Sequence, residues 1–494
     1  MAKTVKKGSI TIFLALVLSV ILSLVSASIE SVRMAAARTQ ILNSMDIGLY
    51  SLFGQYDRTL LEDYDLFALY AGGMEELDMA SVYDNFESYM KPVLKQNSQK
   101  LKLVQGGFNG YQLLTDGNGE VFYQQAVKYM RETLGSQGVQ NLLNRMRERQ
   151  KKTDQAEQQG QQAENGGTLK SYDSAISDAA KKSEEEEKRQ EQGSVNDLGD
   201  GGDVDDLTGG VNTEVKNPIP IIRKVRKMGL LDLVVLPEKG ISDASINRKM
   251  MASERKLQEG MENNIQSNNS YTSGILFGQY LLNKLGNYTY PASAGLKYQV
   301  EYILGGKNSD RENLNSVAKK LLLIRQGVNM AYLIADGGKR IQIEALSLAI
   351  ASSFLIPPVA VVIEAALMFC WAFAESILDV RELFAGGRVP LVKTAADWQL
   401  SLENLGELLK KLDSSRRNSA GGMSYEDYLQ VMLMTKNRQQ KVLRGMDMIE
   451  CTIRDKGNRP HFRLDHCIVA LEASADVLAN KKKTFTVTRS YAYE

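Results

Sequence analysis

A chain of 494 residues has the length for two or more domains and a large core. Lys and Arg number 60 against 59 Asp and Glu, which excludes a global electrostatic case for a nucleic-acid partner. Three Cys are too few for a disulfide scaffold, and two His, at 461 and 466, have a spacing that suits neither one helix face nor one strand face for a metal site.

The first element is the strongest. Ile10–Ile29 is 20 residues without a charge. As a helix at ~1.5 Å per residue it spans roughly 30 Å, the thickness of a bilayer's hydrocarbon core. Lys3, Lys6 and Lys7 precede it and no acidic residue occurs before Glu30. That asymmetry predicts a single-pass protein of the cell membrane, with the N-terminus cytoplasmic and the body extracytoplasmic. The competing reading is a cleaved signal sequence, with Val25-Ser26-Ala27 as the small-residue site. Helical character favours retention, because Glu30 to about Asp57 has no Pro and is rich in Ala, Met, Leu, Arg and Gln. Ser19, Ser23, Ser26, Glu30, Arg33, Ala37, Ser44 and Gly48 fall within about 40° of one line on this helix. Its first five members are the candidate partner-helix face, since small and hydroxyl residues allow transmembrane helices to approach closely.

The basic start KKGSITIFLALVLSVIL, the Glu30 and Arg33 that follow, and NSMDIGLYSLFGQYDRTLLEDYDLF with Asp46 and the run Tyr64-Asp65-Leu66-Phe67 resemble the N-terminal region of TadE/TadG-like proteins. These belong to the Tad (Flp) type IV-like pilus system, and a Gram-positive subgroup resembles this chain more closely. Trp371–Lys393 and Gly422–Leu433 are similar to that subgroup as well. The resemblance implies a minor pilin-like or pseudopilin-like component of a Tad-type pilus or related secretion system. Its partners would be the membrane, pilin-like or pseudopilin-like subunits and the pilus assembly platform. Prepilin-type cleavage after Gly8 prefers Glu at the fifth mature position, where this chain has Phe13, so the anchor is expected to remain uncut.

Further along, Tyr64–Tyr70 reads as a strand, Glu75–Met90 as a helix and Leu101–Leu114 as strand pieces broken by glycines. Asp116-Gly117-Asn118-Gly119 is a turn signal ahead of a helix over Val121–Arg149. Residues 150–217 are rich in Gln, Glu, Lys, Gly and Asp and read as a disordered linker or insertion. Its Asp197, Asp200, Asp203, Asp205 and Asp206 lack the spacing of a calcium loop. Leu230–Leu236 and Lys297–Leu304 read as strands, and Ser245–Asn263 and Gly274–Leu285 as helices. Ser309 and Glu312 match a capping box, as do Ser424 and Asp427.

Ile341–Phe384 is nearly free of charge up to Ala374, which raises a second span over 347–374. Pro357-Pro358 divides it, and Glu364, Glu375, Asp379 and Glu382 then form an acidic stripe. That pattern predicts a buried helical hairpin with one wet edge rather than a span. Asp397–Leu412 is read as a helix, Ser414–Gly422 as a polar loop, and His461–Leu471 and Thr484–Glu494 as closing strands.

The predicted fold is α+β: a transmembrane helix continuing into a long helix, then a helix-rich body with a small, mainly antiparallel sheet. The division is 1–59 anchor and long helix, 60–149 first part of the body, 150–217 linker, and 218–494 main body. No P-loop, nucleophile elbow or HExxH motif occurs. The chain is therefore read as a structural component, not an enzyme, with no catalytic, cofactor-binding or metal residues. The alternative is a tethered or secreted binding module, or a hydrolase without a recognisable motif.

Overall fold

The N-terminal apolar run is the first part of a 47-residue helix, α1 (Lys7–Phe53). The computed structural model describes residues 7–73, 76–95, 100–178, 181, 216–261, 269–353, 359–412, 421–457, 459–480 and 483–493. The Asp197–Asp206 cluster, Pro357-Pro358 and most of the 414–422 loop lie outside the described residues. The chain forms two units. One comprises 1–129, 249–269 and 449–494, the other 130–248 and 270–448.

In the first unit, α1 is followed by α2 (Arg58–Tyr64), β1 (Leu69–Tyr70), α3 (Met79–Lys95) and β2 (Lys102–Leu113). Asp57 caps α2 by accepting from the Leu60 N–H at 3.0 Å. Asp65 closes α2 in the left-handed region at φ 51°, which turns the Tyr64–Phe67 run out of the helix. The C-terminal strands β3 (Cys467–Ala479) and β4 (Lys483–Ala492) complete an antiparallel four-stranded sheet. β3 is its centre: β2 pairs along one side, β4 and β1 along the other. The β2 register shifts between Leu103 and Gln105 and between Phe108 and Gly110, so the glycine-rich strand is bulged rather than broken.

Alternation on β3 turns Leu471, Ala473, Ala475 and Val477 inward. Ala37, Ile41, Met45, Leu49 and Leu52 of α1 share a core cluster with them, at helical i, i+3/i+4 spacing. Val82, Phe86, Met90 and Leu94 of α3 complete it, each four residues apart. Asp46 of α1 pairs with Arg489 of β4 at 3.0 Å.

The second unit is helical. α4 (Asp116–Asn165), whose residues up to 129 belong to the first unit, begins with Gly117, Asn118 and Gly119 at positive φ, so the turn signal is realised inside its first turn. α5 follows over residues 168–178. The start of the predicted linker is therefore helix. Thr153, Ala156 and Tyr172 are buried, and Gly160 lies against the backbone of Leu323. Small residues let backbones meet here, so a segment poor in large apolar side chains still packs.

α6 (Ile219–Arg226), α7 (Leu230–Val234), α8 (Tyr271–Lys284) and α9 (Gln299–Gly305) are next. Two corrections fall here. Leu230–Leu236 and Lys297–Leu304 are helical, not strands. Short apolar runs do not separate a strand from a helix buried on all sides, and every residue from Gln299 to Ile303 is buried. Among the described residues of Ser245–Asn263 only a 3-10 turn, Arg248–Met250, is helical.

α10 (Asp310–Ala335) is capped by Ser309, whose hydroxyl accepts from the Glu312 N–H at 3.3 Å. α11 (Gly337–Ser353) and α12 (Ala360–Ala385) pack with it. α12 is buried along nearly its whole length from Ile363 to Phe384. Instead of one helix, Asp397–Leu412 gives 3-10 turns and α13 (Leu408–Lys411). α14 (Tyr425–Thr435), with a complete Ser424–Asp427 capping box, and α15 (Arg438–Lys456) follow. The molecule is thus mostly helical, with a long apolar N-terminal helix and a small antiparallel sheet.

Candidate functional site

α1 divides into two halves. From Ile10 to Arg33 every side chain is exposed, among them Leu24 at 68% and Val32 at 69%. A run this long, apolar and uncovered is what a bilayer would bury. Ser19, Ser23, Ser26, Glu30 and Arg33 all lie on this exposed half. The Ser19 hydroxyl donates to the Leu16 carbonyl at 2.9 Å and that of Ser23 to the Val20 carbonyl at 2.8 Å. Both hydroxyls are thus satisfied within the helix.

The same line continues into the docked half. Ala37, Ser44 and Gly48 are buried, and a Cβ on Gly48 would stand 2.9 Å from Phe86 Cε2 of α3. The lower three of the eight aligned residues therefore face an intramolecular partner. Of the upper five, the three serines carry the same small-residue character, and all five are exposed.

In the second unit the acidic stripe of α12 is not a wet edge, which corrects the sequence expectation. Glu375 and Asp379 are 0% exposed and Glu382 5%, whereas Glu364 is half-buried. Their partners come from distant sequence. Lys393 pairs with Glu375, and its Nζ lies 2.7 Å from Asp379 Oδ1. Arg325 of α10 donates from Nε to Asp379 Oδ2 at 3.0 Å, and Asn329 donates to the same oxygen at 3.0 Å. The Gln399 and Leu400 N–H groups each donate to Glu375 at 2.9 Å. Trp398 places its ring 5.4 Å from Lys393 Nζ. Burial raises the Glu375 carboxyl above its ordinary range, against the pull of Lys393. Burial acts on Asp379 as well, but Arg325 and Lys393 outweigh it and hold that carboxyl low. Sequence reasoning marked Glu375 and Asp379 and missed Lys393 and Arg325 as their counterions. No local spacing links residues brought together only by tertiary packing.

A second buried carboxyl is Glu301 of α9. Its Oε1 accepts from Tyr425 Oη at 2.6 Å and from the Tyr288 N–H at 2.8 Å. Burial pushes it up to about 7 despite both hydrogen bonds. A cavity of about 730 Å³ in this unit is lined by Arg226, Asp232, Arg311, Lys319, Gln326 and Phe373 among others. Arg226 stacks on Phe369 and Phe373 and pairs with Glu164, so its charge is already engaged.

Cys370, Cys451 and Cys467 are free thiols. His466 is buried just before β3. Among the described residues no three His, Cys, Asp or Glu are grouped to hold a metal ion.

Residues 209–479, which include the buried charges of α10 and α12, match a family of unknown function, DUF5702. No curated protein and no solved structure matches the chain.

Proposed function

The chain belongs to the DUF5702 family, whose function is unknown, and from that premise we propose that it is a membrane-anchored extracytoplasmic assembly component. It acts as a minor pilin-like or pseudopilin-like subunit of a Tad-type pilus or a related secretion system. One observation carries this reading. α1 runs without a break from an exposed apolar half into a half that is part of the core cluster. An anchor built this way is a rigid extension of the body, not a tether on a flexible joint, and it transmits the orientation of a neighbouring helix to the sheet. The basic residues ahead of Ile10 set the N-terminus in the cytoplasm. The N-terminal resemblance to TadE/TadG-like proteins supplies the class of partner, which is pilin-like subunits and the assembly platform.

The exposed half of the line, Ser19, Ser23, Ser26, Glu30 and Arg33, is the face offered to those subunits. Serines permit close approach within lipid, and each interhelical hydrogen bond contributes about 0.5–1.5 kcal/mol. Glu30 and Arg33 stand where the helix leaves the apolar run, and a neighbour's charges can pair with them in surroundings drier than bulk water.

The test combines fractionation with cross-linking in cells. The chain stays with membranes through an alkaline wash. Ser23→Leu and Glu30→Ala retain that behaviour but lower cross-linking to neighbouring subunits and the yield of surface pili several-fold. Leu18→Ala, off the line, leaves both unchanged. Unaltered assembly in both line variants removes the partner face. A soluble secreted chain beginning at Ser28 removes the anchor.

A further inference from the structure

The cluster between α10 and α12 holds more than an ion pair. Lys393 Nζ, an amine nucleophile, lies 2.7 Å from Asp379 Oδ1 and forms an ion pair with it. The other carboxylate oxygen, Oδ2, receives two fixed donors, Arg325 Nε–H and Asn329 Nδ2–H, both at 3.0 Å. Glu375 sits one turn before Asp379 on the same face of α12 and is hydrogen-bonded to Lys393. All the side chains in this arrangement are buried: Lys393 is 3% exposed, and Arg325, Asn329, Glu375 and Asp379 0%.

We propose that Lys393 and Asp379 are a cross-linking site, joined through an amide between Nζ and Cγ that forms within the folded chain. The reaction is a condensation between the paired ammonium and carboxylate. One proton passes from Lys393 to Asp379 Oδ1, leaving a neutral amine and a carboxylic acid. Its lone pair forms the C–N bond at Cγ, and the developing negative charge falls on Oδ2, where Arg325 and Asn329 donate. Glu375 carries the second amine proton to Oδ1. The Cγ–Oδ1 bond then breaks and Oδ1 leaves as water. Nothing is oxidised or reduced, and no co-reactant is needed.

Three physical terms favour it. Nucleophile and electrophile are held in contact, which removes the entropic cost of bringing them together. The site excludes water, which disfavours the reverse hydrolysis. The product also replaces two formal charges in a low-dielectric interior by one neutral amide. Burial holds the Glu375 carboxyl above its ordinary range, which suits it to carry a proton. The ring closed by the bond spans the end of α12 and the segment after it, so it would lock that segment onto the core helix.

Mass spectrometry of the full-length protein, purified in detergent, tests this. Trypsin cuts after Arg381 and Arg388 and places Asp379 and Lys393 in different peptides. The expected result is a single species joining residues 341–381 to residues 389–410, uncut at the acylated Lys393 and lighter than their sum by one water, with fragment ions locating the bond at Asp379 and Lys393. Glu375→Gln should leave most of the protein unlinked, and Lys393→Met all of it. Recovery of the two peptides separately at full mass from the wild-type chain overturns the proposal, whether or not the variants fold. Loss of water confined to the Asp379 peptide, without linkage, overturns it too, since that is cyclisation within the backbone.

Discussion

At the scale of single residues, Glu301 couples stability to pH. Its carboxyl is held at about 7 when folded, against 4.5 for an unperturbed glutamate. Below 4.5 both states are protonated and there is no penalty. Between 4.5 and 7 the unfolded chain releases a proton that the folded chain keeps, so stability falls as pH rises. Above 7 the loss is complete, at roughly 3 kcal/mol for a shift of this size. Glu301→Gln should abolish that dependence. Urea titrations of variant and wild type should show a difference that grows from pH 4.5 to pH 7 and is flat beyond. The amide adds a constant offset through its buried N–H groups, so the slope is the readout. A parallel pair of curves would mean that Glu301 titrates normally. Gly327 of α10 is a steric case. A Cβ there would run into the carbonyl oxygen of Ala156 on α4, and one on Gly160 into that of Leu323. Backbone cannot yield as a side-chain tip can, so Gly327→Ala should cost about 1–3 kcal/mol in the same titration, or more. A change within experimental error would mean that the two helices do not approach this closely.

At the scale of elements, the docked half of α1 carries the core of the first unit. Gly48→Leu would push a side chain into Phe86 and Met90, whose nearest atoms lie 2.9 and 3.3 Å from where its Cβ would stand. It should destabilise that unit by about 1–3 kcal/mol and leave membrane retention untouched, because Ile10–Ile29 is unchanged. Ile47→Leu, at an exposed position one residue away, is the control and should be silent. Hydrogen exchange in α3 and β3 reports the difference. α1 was the most legible element of the sequence, since an uncharged run followed by good helix formers without Pro leaves no alternative to a helix. The caps at Ser309 and Ser424 were legible for a similar reason, because a side chain bonding to a backbone N–H three residues on is a local event. α7 and α9 were not. Their Tyr, Ile, Leu and Val content carries strand propensity, and in α9 burial of every residue from Gln299 to Ile303 selects the helix. The candidate site divides in the same way. The stripe from Ser19 to Arg33 follows from helical spacing alone, whereas Lys393 against Asp379 requires the fold.

At the scale of the whole molecule, two helices, α1 and α12, are long and apolar enough to cross a membrane, and their burial tells them apart. The most apolar stretch of α1 is 0% buried, while that of α12 is 72% buried. α12 also contains Glu375 and Asp379, whose charges are matched by Arg325 and Lys393 within the unit. In lipid those acids would need the same partners carried along with them. α12 therefore has the burial of a core helix. Removing residues 1–35 tests this directly, since it deletes the exposed half of α1 and keeps the core positions from Ala37 onward. The shortened chain should purify without detergent, unfold cooperatively and remain in the supernatant after ultracentrifugation, while the full chain sediments with membranes. Alkaline washing separates a true span from a surface association in the full chain. If the shortened chain still partitions into membranes, α12 is a second span and everything after it lies on the opposite side. If it is soluble but lacks a cooperative transition, the exposed half of α1 does more than anchor, and the first unit depends on it for folding.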